Sequence, residues 1–174
     1  MQDDITNFAI AAFLREMRER VEQAAGLLEA AGACSNVGQA AEAVVLANRT
    51  DEHIHDAELL LGMVAWLARH GDRMADDGEK AEQVDRNRHS VDVAPDTATA
   101  AETVQTFLHI ASQRARHAVG VARGAEIRAA TAGAAVGARM ALAVEPTLYE
   151  VKTLVNAASL LHRLASHGQE RPPE

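Results

Sequence analysis

Apolar positions recur along this chain every three to four residues, and nowhere do they alternate for long enough to predict a strand. In "ITNFAIAAFLREMRERVEQAAGLLEAAG", Ile10, Phe13, Leu14, Met17, Val21, Ala24 and Leu28 share one stripe, while Arg15, Arg18, Glu19, Glu22 and Glu29 lie opposite. That is an amphipathic helix. Gly32 is expected to stop it, and Asn36 with Gln39 three positions on is expected to cap the next. A second helical stretch is expected from Val37 to His70, interrupted at Arg49–Thr50 and stopped by Gly71. Taken as one continuous helix, residues 41–70 would bury Ala41, Val45, Leu59, Met63 and Trp66, with Glu52 near the middle of that face.

From Gly71 to Asp96 the chain turns polar and charged, which predicts a long connection with one short helix around Glu79–Arg86. After Pro95, Thr99 and Glu102 form a capping-box pattern, and Val104, Phe107, Leu108, Ala111, Ala115, Ala118 and Ala122 make a buried stripe that narrows as it proceeds. Gly120/Gly124 and Gly133/Gly137 punctuate the chain from there to about Ala143, so the region is either one helix of about 45 residues or two helices broken at a glycine. Pro146 suits the first turn of a last helix that buries Val151, Leu154, Val155, Ala158 and Leu161 and ends at Gly168.

The fold expected is all-α: a four- to five-helix bundle built from two long antiparallel hairpins, 3–70 and 97–167. It makes a single domain, 1–168, with 71–96 as polar connection and 169–174 as a disordered tail. A third helix that ran straight on would project past the bundle and expose alanine and glycine, which predicts a homodimer. Arg114, Arg116, Arg123 and Arg128 scatter around that helix and are expected to solvate it.

Composition narrows the chemistry. Hydrophobic residues make up 48% of the chain but aromatics only 3%, so its core has to be built from alanine, leucine and valine. A formal net charge of −8 disfavours nucleic acid, whose sequence-independent binding needs a cationic surface. The most apolar stretch is broken by Arg139, so no membrane span is expected. A single cysteine, Cys34, and a start without a signal-peptide pattern lead to an expected cytoplasmic location.

Candidate chemistry gathers in "NRTDEHIHDAELLL". Glu52-x-x-His55, with Asp56 beside it, spaces a carboxylate and an imidazole one helical turn apart, as metal ligands in ferritin-like bundles are spaced. No second Glu-x-x-His occurs, so a di-iron set is incomplete, and a mononuclear or dimer-interface site for a divalent metal (Fe, Zn or Mn) is what the pattern allows. Arg49 followed by His55 resembles the signature of HEPN ribonuclease domains, small helical bundles in which such a pair would imply catalytic acid/base chemistry and phosphate stabilisation. Asp51, Glu52 and Asp56 would repel a phosphate backbone and rank that possibility third. The simplest assignment makes Thr50 or Asp51 the cap of a helix and the acidic residues ordinary first-turn chemistry. The leading functional expectation is a non-enzymatic bundle, needing no cofactor, that self-associates and binds a protein or small ligand.

Overall fold

Four long helices and two short ones make up the described part of the chain. The computed structural model describes residues 2–71 and 97–169, with side chains from Ile5 to His70 and from Thr99 to Ser166. In order these are α1 (Gln2–Asn36), α2 (Ala40–Asn48), α3 (Thr50–Gly71), α4 (Thr97–Ala132), α5 (Ala134–Ala141), a 3-10 turn (Leu142–Val144) and α6 (Glu145–Gln169). The all-α bundle expected from the apolar period is what forms. The polar connection expected over 71–96, its helix around Glu79–Arg86 and the tail lie outside the described residues, save Gly71 and Gln169 at their edges.

Several boundaries differ from expectation, each for a local reason. α1 continues through Gly32 because Ala31 is buried and Cys34 packs on the core, gains that exceed the roughly 1 kcal/mol a mid-helix glycine costs. The stop falls at Gly38, whose φ of +81° lets the Gly38 and Gln39 amides turn back to the Ser35 and Cys34 carbonyls. The capping box of Asn36 and Gln39 does not form. Asn36 ends α1 and its Oδ1 accepts a 2.6 Å hydrogen bond from Gln105, while Gln39 makes no side-chain cap bond. Thr99 and Glu102 likewise lie inside α4, where their carbonyls accept from the Thr103 and Thr106 hydroxyls.

Side-chain pairs set the directions. Arg18 meets Glu126 and Asn36 meets Gln105, so α1 and α4 are antiparallel. Arg20 meets Asp56 across α1 and α3, Lys152 meets Asp51 and Glu58 across α6 and α3, and Arg114 meets Glu150 across α4 and α6. Each long helix thus opposes both neighbours, with α3 and α4 parallel across the diagonal and Gly71 and Thr97 at opposite ends. This is the connectivity of a bundle with one long crossover.

The core runs the length of this bundle and is narrow. Leu14, Met17, Val21 and Leu28 of α1 face Ala111, Ala115, Ala118, Ala122 and Ala125 of α4, and among the described residues no aromatic ring is fully buried. Alanine at the contact brings helix axes toward the lower end of the 8–10 Å range. Arginines of α4 that were expected only to solvate it instead reach sideways. Arg116 pairs with Glu29 at 2.6 Å, Arg123 with Glu22 at 3.2 Å and Arg114 with Glu150 at 3.1 Å. Arg18, mostly covered, bridges Glu22 and Glu126 at 2.8 and 2.7 Å. The hydrogen bond from Glu22 holds its pKa above the ordinary arginine value, against the lowering effect of burial, with Glu126 adding to the rise.

The region after Ala132 settles between the two expectations for it. Gly133 has φ +101° and breaks the helix, so α5 folds back on α4. A Cβ on Gly137 would sit 2.5 Å from Ala129 Cβ and 2.7 Å from the Ala125 carbonyl oxygen, so the two backbones are in direct contact there. The alanine and glycine half of α4 therefore does not project as an open stripe, and the surface on which the expected dimer rested is covered by the chain's own α5.

Substituting Gly137 by Ala should destabilise the protein by about 1–3 kcal/mol through overpacking against backbone. Gly120 faces open space, and Gly120→Ala should stabilise by about 0.5–1 kcal/mol. Urea denaturation of both variants tests the contrast, which disappears if α5 does not pack on α4.

Candidate interaction surface

One residue, Arg49, separates α2 from α3. Its amide still reaches the Val45 carbonyl at 3.3 Å, and Thr50 is buried with its hydroxyl donating 2.6 Å to the Ala47 carbonyl. Thr50 thus ties the two helices together as a donor; it is not the accepting cap expected of it. The polar cluster opens α3, with Asp51 and Glu52 in its first turn, where the helix dipole favours negative charge.

The cluster then fans out in three directions. Asp56 faces α1 and lies 3.3 Å from Arg20, while Asp51 and Glu58 face α6, where Lys152 Nζ lies 3.9 and 3.7 Å away. Glu52 and His55 point outward and are exposed, as is Arg49. Among the described residues no group of three or more His, Cys, Asp or Glu side chains is placed to hold a metal ion. Glu52, His55 and Asp56 are therefore neighbours in sequence whose side chains diverge in space. Arg49 and His55, both exposed, have the carboxylates of Asp51 and Glu52 between them in the chain.

The placement of Glu52 on a buried face is corrected by the structure. α3 buries Thr50, Ile54, Ala57, Leu61 and Val64, and turns outward the residues that hydropathy alone assigns to the core. Leu59 is 56% exposed, Met63 47% and Trp66 53%, and Val45 of α2 is 61% exposed. Two apolar faces compete on this helix. The face with Ile54, Ala57, Leu61 and Val64 turns inward, and the one that carries the Trp66 indole, the bulkiest side chain of the helix, stays outside.

Leu59, Met63 and Trp66 stand at i, i+4 and i+7, one above the other on the outer face. The Trp66 ring stacks on His70 with centroids 4.3 Å apart, and His70 Nδ1 lies 2.8 Å from the Trp66 carbonyl oxygen, which holds the indole at the end of the row. Gly62 lies beside them, exposed, with nothing within 4 Å of where its Cβ would be. Acidic Asp51 and Glu52 open this helix and basic Arg69 and His70 close it. His53, one turn ahead of Asp56, buries its Nδ1, which among the described residues has no hydrogen-bond partner.

At the other end of the bundle, Ala40, Ala100, Ala101, Val104, His162, Ala165 and Ser166 line a cavity of about 150 Å³. Ser166 spends its proton on the His162 carbonyl, leaving one imidazole in an alanine-lined hollow smaller than ordinary ligand pockets. No described helix is long and apolar enough to cross a membrane. No family model, curated protein or solved structure matches this chain.

Since Glu52 and His55 contact solvent, Glu52→Ala and His55→Ala should each change stability by no more than about 0.5 kcal/mol. Thr50→Val, which strips a buried donor from the Ala47 carbonyl, should cost about 1–2 kcal/mol. Thermal denaturation of the three variants orders them.

Proposed function

We propose that this protein is a non-enzymatic helical-bundle binding protein whose working surface is the outer face of α3, where it docks an amphipathic helix along Leu59, Met63 and Trp66. The supporting observation is that row itself, three large apolar side chains about half exposed in one line while Ile54, Ala57, Leu61 and Val64 of the same helix fill the core. Contiguous apolar surface of this kind on a folded domain marks an interaction site. Helix-in-groove recognition uses anchors at the same i, i+4, i+7 spacing. On α6 the exposed apolar side chains stop at the pair Leu160 and Leu164, which Thr153 and Asn156 separate from Tyr149.

On this proposal Glu52 and His55 are the polar rim of a docking face, Asp56 stays on Arg20 of α1, and no metal or catalytic step is assigned to any of them. The triple variant Leu59→Gln, Met63→Gln, Trp66→Gln should fold with stability within about 1 kcal/mol of the parent, because none of the three sits in the core. A photoreactive residue at position 63 should form one discrete cross-linked product in cells. The same group at exposed His117 on α4 serves as control and should not. Loss of folding in the triple variant, or indistinguishable products at both positions, rejects the docking face.

A further inference from the structure

We draw no further inference here: the strongest candidate, the alanine-lined hollow where the starts of α2 and α4 meet His162 of α6, rests on helix N-termini and a partly buried imidazole, with no second observation that points to a ligand.

Discussion

Everything else in this bundle depends on how close its helices come. From Ala111 onward α4 presents alanine at almost every inward position, and the chain has too few aromatic rings to prop the helices apart. Close approach increases the dispersion contacts between backbones, and it also limits what can sit between them. The limit is sharpest where α5 returns against α4, because at Gly137 even a methyl group has no room. Elsewhere the same narrowness acts as a filter on side-chain size.

That filter decides the surface. α3 is apolar on two sides, and a chain seeking only to hide hydrophobic area would bury the larger set. It buries Ile54, Ala57, Leu61 and Val64 and leaves Leu59, Met63 and Trp66 outside, and of these side chains the Trp66 indole is the one bulkier than anything fully buried in the core. The exposed row is thus the counterpart of the face that the core takes in. It is also why the polar cluster ahead of it diverges. Once the smaller face turns inward, Asp56 is carried toward Arg20, Asp51 and Glu58 toward Lys152, and Glu52 with His55 toward solvent. A shared ligand would have to bring together side chains that the helix sends three ways.

Charge plays a supporting part. The inter-helix pairs join α4 to α1 and α6 along their edges, with Arg18 between Glu22 and Glu126 the most covered of them. Pairs as exposed as Arg116–Glu29 contribute little each to stability. Their value lies in register, since they bind an alanine seam that could otherwise slide by a turn.

Periodicity alone made the helices and the inward sides of α1, α4 and α6 legible, because a 3.6-residue repeat is a property of the backbone and needs no knowledge of neighbours. The alanine core could be read from composition for the same reason. Helix ends were less legible. Gly32 and Asn36 carry the right residue types for a stop and a cap, yet burial of Ala31 and Cys34 favours continuing the helix. Three outcomes belonged to tertiary structure: which face of α3 turns inward, where the carboxylates of residues 51–58 point, and that α5 covers the glycine-rich end of α4. Each is a comparison between alternatives of similar hydropathy, settled by the width of the gap that the partner helices leave. That width belongs to no single segment of the chain.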